Sequence, residues 1–452
     1  MARKFRTADY EKTLELQITL GDVLPLDHLA RFIVDIVAQL DLQPIYKQYR
    51  DQGAPPYAPE VLLGLLFYGY ATGVFSSRKI ERATYEVIPF RFIAGDMHPD
   101  HDTIASFRKQ FLAELKELFV QILLIAQEMG HLQLGSVSLD GSKIHADASK
   151  SQAVSYQRLL AIEAYLQAEV EELFVLAEAA DGGQLPAVMN LPDEIERRRQ
   201  QLARLAEAKK VLEARAQARY EAEQAEYEAK MQARAEKSAQ TKKKPPGKPP
   251  QPPTPGPRDK DQYNFTDPES RIMKNAHNSG FDQHYNVQVV VDHDSRLVVG
   301  HWLCDHTNDK QAALPTIATV PPAVGHPKKV NLDTGYFSEN NVADLEACGI
   351  DPYIATGRSP HHQGWRAFFL DKPEPPAKDA SATERMAYKL RTDVGKAVYR
   401  LRKSTVEPVI GIIKEIMGFR QFSLRGLLAT GGEWTLVCLA YNLKRLHILQ
   451  VA

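Results

Sequence analysis

The hydrophobic pattern changes period several times along the 452 residues of the chain. Up to about residue 130 the apolar residues recur at helical spacing, most densely in PEVLLGLLFYGYATGVF, which opens at Pro59. We therefore predict an all-α N-terminal domain over residues 1–130. Its last part has capping residues at Asp100 and Asp102 and a stop at Gly130, which predicts one long helix between them.

Basic residues in this helical region suggest a possible partner. The pair Arg108 and Lys109 lies among several predicted helices with short turns, which is typical of helix-turn-helix DNA-binding modules. A plain helical bundle would show the same pattern. The residues alone leave both interpretations open.

A period of two replaces the helical period after residue 135. In SVSLD the polar and apolar residues alternate, which predicts a strand that ends at Asp140. The run HYNVQVVVDHDSRLVVGHWL predicts a hairpin of two strands, and KKVNLD predicts a further buried strand that ends at Asp333. Predicted helices and a short strand follow as far as the C-terminus.

A different composition interrupts this α/β pattern. Residues 152–240 are rich in Ala, Glu, Gln and Arg, with apolar residues at heptad-like spacing, and they predict an inserted helical hairpin. Residues 241–261 are rich in Pro and Lys and predict an extended linker. What remains, residues 131–151 and 262–452, has the strand and helix order of a ribonuclease-H-like mixed sheet. The predicted fold class is therefore α/β, with an N-terminal all-α domain and an inserted helical hairpin.

Bulk properties exclude several classes of protein. The net charge is −1, and the three cysteines are scattered without a CxxC pair, so neither a disulfide framework nor a zinc ribbon is expected. No window has the roughly 20 apolar residues of a membrane span, and the N-terminal residues lack a signal-peptide pattern. We expect a cytoplasmic protein that does not bind membranes.

Three carboxylates carry the candidate chemistry: Asp140 and Asp333 at the predicted strand ends, and Glu407 in a basic helical stretch. Acids in such positions can hold two hard divalent cations roughly 4 Å apart. Each acid also has an ordinary structural interpretation. Either aspartate precedes a glycine-containing turn, and Ser404 with Glu407 forms a capping-box pattern that would begin a helix.

Histidines and further acids give a weaker signal. Their spacing is unlike that of structural zinc sites, and strand alternation divides them between two faces, so we do not predict zinc. The residues considered are His277, His284, His293, His301, His306, Asp292 and Asp305.

Several motifs in this order resemble the DDE transposases of bacterial insertion sequences. They are SVSLDGSKIHADASK, DPESRIMK with YNVQVVVD, NLDTGYFS, YRLRKSTVE with the run after it, and AYNLKRL. The resemblance implies a catalytic triad of Asp140, Asp333 and Glu407 that binds two Mg²⁺ or Mn²⁺ ions. It also implies DNA cleavage and strand transfer in cut-and-paste transposition. The implied partners are double-stranded element ends and target DNA, on which a homodimer or larger assembly would act, associated with the bacterial nucleoid.

The same family has a tyrosine, arginine, glutamate and lysine signature, to which Tyr399, Arg402, Glu407 and Lys414 correspond. Four residues separate Arg402 from Glu407, one more than in the commonly described signature, so Lys403 is an alternative for the arginine position. On an ideal helix of about 100° per residue, Lys403 and Lys414 lie on the side of Glu407, and Arg402 points away.

Basic residues near these motifs are candidate DNA contacts. Lys143 follows Asp140 closely and is a candidate phosphate ligand, although a surface lysine has the same pattern. The predicted DNA-binding set is Lys143, Tyr399, Arg402, Lys403, Lys414, Arg108 and Lys109. Two other functions stay open: a catalytically inactive DNA-binding protein derived from a transposase, and a metal-dependent nuclease without strand transfer.

Overall fold

The computed structural model describes residues 19–49, 55–181, 190–241, 248–275, 280–306, 309–357, 374–377 and 380–451. Within these ranges the chain is a mixed α/β protein with an open mixed sheet. Residues 1–18 of the predicted N-terminal domain, residues 182–189 of the predicted helical hairpin and residues 242–247 of the predicted linker lie outside the described residues. The described chain forms two compact units: residues up to Ile144 with those from Tyr285 onward, and His145–His284.

The first unit begins with helices, as the apolar spacing predicts. The described helices before the first strand are α1 (Leu29–Val37), α2 (Gln43–Tyr46), α3 (Pro59–Thr72), α4 (Ser77–Glu86), α5 (Ile88–Ala94), α6 (His101–Gln110) and α7 (Glu114–Glu128). Asp100 caps α6, accepting from the Thr103 amide at 2.8 Å. The prediction of one helix up to Gly130 is wrong, because residues 111–113 form a turn between α6 and α7.

An open sheet forms the centre of the first unit. Its described strands are β1 (Ser136–His145), β5 (Phe281–Asp292), β6 (Val298–Cys304), β7 (Lys329–Leu332) and β8 (Asp351–Ile354), in the order β6-β5-β1-β7-β8. β5 and β6 pair antiparallel, and β7 pairs parallel with both β1 and β8. Since β1 and β7 run in the same direction, their ends of like polarity meet at one edge.

Helices cover this sheet. The described ones are α10 (Ala313–Ile317), α11 (Glu339–Ala347), α12 (Ala382–Arg391), α13 (Asp393–Gly411) and α14 (Leu427–Val451), and a π-helical turn, Ile412–Ile416, follows α13. α14 is buried along much of its length and contacts α3, α7 and β6. A helix that is apolar on several faces is expected in a core position.

The second unit contains two long helices in the region where the sequence predicts a hairpin. It comprises β2 (Ala153–Ser155), α8 (Tyr156–Asp181), α9 (Leu191–Thr241), β3 (Gln262–Asn264) and β4 (Arg271–Lys274). β2 pairs antiparallel with β3, and β4 pairs antiparallel with the first residues of β5. Leucines from both helices form its core, among them Leu159 and Leu212.

In the described parts of both units, no helix combines the length and the apolar character that crossing a membrane requires.

Candidate active site

Two of the predicted acids lie on neighbouring parallel strands. Ser138 of β1 pairs with Asn331 of β7, and this register brings Asp140 and Asp333, each two residues further on, next to one another. Asp333 directly follows β7, as predicted. The prediction that a strand ends at Asp140 is wrong, because β1 continues through Asp140 and Gly141 to His145.

Arg402 connects Asp140 to the third acid. Its Nη1 donates to Asp140 Oδ2 and its Nη2 to Glu407 Oε1, each at 2.9 Å. The arginine side chain is 14% exposed, whereas that of Glu407 is 46% exposed. One guanidinium thus brings together acids from a central strand and from α13.

These contacts correct two expectations for α13. Arg402 does not point away from Glu407, because a long, flexible side chain reaches groups that an ideal helical wheel separates. Glu407 does not begin a helix either, since α13 is continuous from Asp393 to Gly411. Ser404 donates to the Leu401 carbonyl within that helix and is not a cap.

Buried polar contacts fix α13 on the sheet. Thr405 Oγ1, two residues before Glu407, donates to Ser138 Oγ, two residues before Asp140, at 3.1 Å. Asn331, two residues before Asp333, donates to the Val398 carbonyl at 2.8 Å. Hydrogen bonds between buried groups fix the relative position of the elements that carry them, because breaking one leaves a buried polar atom with neither a protein partner nor water. The helix is therefore held in register with both aspartates.

Burial and the neighbouring charges shift the pKa of Asp140. Burial raises the pKa of Asp140 to about 6, while the Arg402 charge and the Gly141 amide act in the opposite direction, and the charges of Asp333 and Glu407 add to the rise. Both charges act on Asp140 because their carboxylates lie near it. At neutral pH Asp140 is an anion that burial disfavours, beside a permanent cation.

The chemistry of this donor set suits a hard cation, because carboxylate oxygens are the preferred ligands of Mg²⁺. Within the described ranges, however, no three or more His, Cys, Asp or Glu side chains are arranged to hold a metal ion. The Arg402 guanidinium contacts two of the three acids at once. The Asp140 Oδ2 and Glu407 Oε1 atoms are therefore bound by the arginine in this arrangement.

The predicted DNA contacts near the acids occupy different environments. Lys414, in the π-helical turn, donates to Ser142 Oγ at 3.0 Å and to the Lys143 carbonyl at 3.2 Å, next to the Asp140 strand. Lys403 and Lys143 are exposed, and Tyr399 is half-buried. Burial raises the pKa of Tyr399, and the Arg402 charge opposes that rise.

Arg108 and Lys109, which are neighbours on α6, differ in burial. Arg108 is buried, donates to Tyr70 Oη at 2.8 Å and lies 3.9 Å from the buried Glu433 carboxylate. Lys109 is exposed. Because the Arg108 guanidinium balances a core carboxylate, we omit it from the DNA contacts that we propose.

The histidines and acids considered for zinc are dispersed over the described residues, and His277 lies outside them. His293 Nε2 lies 2.9 Å from Ser138 Oγ, and His301 packs edge-on against Phe119. Asp292 caps the turn between β5 and β6, where its carboxylate accepts from the Ser295 amide at 2.9 Å.

The sequence did not predict a cluster of buried polar side chains around Gln288. Gln288 Nε2 donates to Asp309 Oδ1 at 2.9 Å, and Asn286 Nδ2 donates to the same oxygen at 2.8 Å. Tyr336 donates its hydroxyl hydrogen to Gln288 Oε1. The available signal was the pair of amides alternating with valines in YNVQVVVD, since amides on a buried strand need partners.

Two family models match the chain. One, described as a transposase domain (DUF772), matches residues 18–110, and the other, described as a transposase DDE domain, matches residues 376–447. The first covers most of the N-terminal helices, and the second includes α12, α13 and nearly all of α14. No curated protein and no solved structure is significantly similar to the chain.

Proposed function

We propose that the chain, which is a DDE-type transposase of an insertion element, cleaves DNA at the ends of its element and joins the freed ends to target DNA. Asp140, Asp333 and Glu407 are the catalytic acids of this proposal. By analogy with the family, a homodimer or larger assembly acts on double-stranded DNA in the bacterial cytoplasm, in association with the nucleoid.

The convergence of Asp140 and Glu407 on one guanidinium carries the proposal. These acids are separated by more than 260 positions in the chain, yet both contact Arg402 at 2.9 Å. Asp333 emerges beside Asp140 because the strands before them pair in parallel. The strand order and directions also support a ribonuclease-H-like sheet as the frame of the site.

Asp140, Asp333 and Glu407 would hold the two Mg²⁺ or Mn²⁺ ions that the family uses, since all three supply carboxylate oxygens. Bound ions of this kind stabilise charge on the attacking and leaving oxygens of a displacement at phosphorus. The protein's own contribution is to position these groups, and the Thr405 and Asn331 contacts of α13 do so.

Basic side chains around the acids would hold the DNA backbone. The Lys414 ammonium lies beside β1, Lys143 is an exposed residue of β1, and Lys403 is an exposed residue of α13. Arg402 is suited to bind a phosphate once it releases a carboxylate, because guanidinium recognises both groups with the same paired geometry. DNA binding and opening of the acid cluster would then be coupled through Arg402.

The test uses the purified full-length protein with Mg²⁺ and a plasmid that carries its gene with the flanking genomic DNA. Double-strand cleavage at the element boundaries, followed by joining to a second plasmid, is the expected result. Cleavage without joined product would favour a nuclease, and retention of the DNA without any nick would favour a DNA-binding protein derived from a transposase. Either of these two outcomes would overturn the proposal.

A further inference from the structure

The structure assigns to Gln288 a positioning role for both aspartates of the site, an inference that rests on the proposed function. Gln288 is 0% exposed and lies on β5, the strand next to β1 in the sheet. Its side chain contacts the residue after Asp140 and also a residue of the turn that begins at Asp333. One buried amide therefore connects the two aspartate-bearing segments.

On the Asp140 side, the contact is with the backbone of Gly141. A Cβ atom on Gly141 would lie 2.3 Å from Gln288 Nε2, so the amide fills the space that any other residue would need. The Gly141 amide also donates to Asp140 Oδ1 at 2.8 Å. Movement of the Gln288 side chain would therefore release the backbone segment that orients the Asp140 carboxylate.

On the Asp333 side, the contact is with Tyr336. Asp333 Oδ1 accepts from the Gly335 amide at 2.7 Å and caps the short helical turn Thr334–Tyr336. Tyr336, at the end of that turn, is buried and donates its hydroxyl hydrogen to Gln288 Oε1. The Gln288 carbonyl oxygen thus fixes the turn that orients the Asp333 carboxylate.

Asp309 and Asn286 determine which way the amide points. Gln288 Nε2 donates to Asp309 Oδ1 at 2.9 Å and to Asn286 Oδ1 at 3.0 Å, and both partners are acceptors. A flipped amide would place its oxygen against these two oxygens and its NH₂ group against the Tyr336 hydroxyl. Burial makes such unsatisfied groups costly, so Asp309 keeps Gln288 in the orientation that accepts from Tyr336.

Exchanging donor and acceptor tests this role. Gln288→Glu keeps the shape but places a carboxylate against Asp309. We expect kcat for DNA cleavage to fall about 10- to 100-fold, as for supporting residues of metal sites, with KM for DNA within about twofold. Adding Asp309→Asn supplies an NH₂ donor to the introduced carboxylate, so the double variant should recover at least half of the lost activity on a logarithmic scale.

Asn442→Asp is the matched control. Asn442 is a buried amide of α14 whose side chain donates to the Val298 carbonyl and accepts from the Val298 amide, each at 2.8 Å, so it binds β6 instead of an aspartate segment. It should lose comparable stability and keep kcat. Equal kcat losses in Gln288→Glu and Asn442→Asp, or full activity of Gln288→Glu, would overturn the positioning role.

Hydrogen exchange supplies a readout that does not depend on cleavage. In Gln288→Glu the amides of both Gly141 and Gly335 should exchange faster than in the wild type, and in Asn442→Asp they should not. Unchanged exchange at either glycine would refute the inference even if the protein cleaves DNA. Absence of cleavage by the wild type, with the expected exchange pattern, would instead refute only the proposed function.

Discussion

Arg402 of α13 donates to Asp140 of β1 at 2.9 Å, and the same guanidinium binds Glu407 at 2.9 Å. Since arginine stays protonated at every accessible pH, this contact places a permanent cation among the acids. A divalent cation that binds the same carboxylates must compete with it. The protein without DNA should accordingly bind metal weakly.

Replacing Arg402 by Ala should strengthen Mn²⁺ binding to the DNA-free protein by about tenfold or more. A unit charge about 4 Å away contributes several kcal/mol at an effective dielectric constant of about 20, and the substitution removes it. Titration calorimetry with Mn²⁺ measures the effect. Lys403→Ala, at the exposed neighbouring position, is the control and should leave the affinity unchanged. Weaker binding in Arg402→Ala would show that the arginine assists the metal site.

The raised pKa of Asp140 has a consequence for stability. Burial raises the pKa from 3.8 to about 6, so between these values the folded state binds more protons than the unfolded state. Stability is therefore lost as the pH rises through this window, and above it the loss is on the order of 3 kcal/mol.

Asp140→Asn removes this charge and should stabilise the metal-free protein at pH about 7. The gain should disappear at a pH of about 4, where the folded protein already holds Asp140 in its protonated form. Denaturant unfolding at the two pH values measures the difference. A wild type as stable as Asp140→Asn at neutral pH would contradict the account.

Several elements follow directly from the sequence pattern. Asp333 directly follows β7, whose apolar residues Val330 and Leu332 alternate with Lys329 and Asn331 as the period of two predicts. The residues before Asp140 also form a strand. However, β1 pairs with β5 and continues past Asp140, where the polar residues had indicated that the strand would end. Local pattern therefore identifies strands better than it identifies where pairing stops.

The side-chain contacts within the site could not be predicted from the hydrophobic pattern. Arg402 contacts Glu407 because its long side chain extends toward both acids. The angle between residues on a helical wheel gives only the direction in which each side chain leaves the helix. Gln288 and Asp309 form a hydrogen bond across 21 positions of the chain, and the apolar pattern does not indicate it. Such polar partners are chosen by tertiary packing, so periodicity carries little information about them.

Arg108 and Lys109 are neighbours whose substitutions should have different effects. Arg108→Ala leaves the buried Glu433 without its countercharge and should cost about 3–5 kcal/mol of unfolding free energy. Lys109→Ala should leave stability unchanged. If this helix contacts DNA, Lys109→Ala should lower the salt dependence of DNA binding by about one unit of log–log slope. Unfolding curves and binding at several salt concentrations distinguish the two roles.

Thr405→Val should reduce both stability and cleavage. The substitution removes a hydroxyl that lies 3.1 Å from Ser138 Oγ and 2.8 Å from the Leu401 carbonyl, which should cost about 1 kcal/mol. Because this contact holds α13 in register with β1, the cleavage rate should fall further than the lost stability explains. Thr430→Val of α14 is the control, since the Thr430 hydroxyl bonds carbonyls of its own helical turn. Equal cleavage rates for the two variants would contradict this role.

In the proposed function, Asp140, Asp333 and Glu407 work together as one catalytic site. The most direct measurement is the single-turnover rate of Mg²⁺-dependent cleavage at the element ends, in Asp140→Asn, Asp333→Asn and Glu407→Gln. Each variant should lose about 1000-fold or more in rate and bind DNA as tightly as the wild type, while the exposed-site control Glu415→Gln keeps its rate. Substantial cleavage by any one of the three variants would contradict the assignment of that acid.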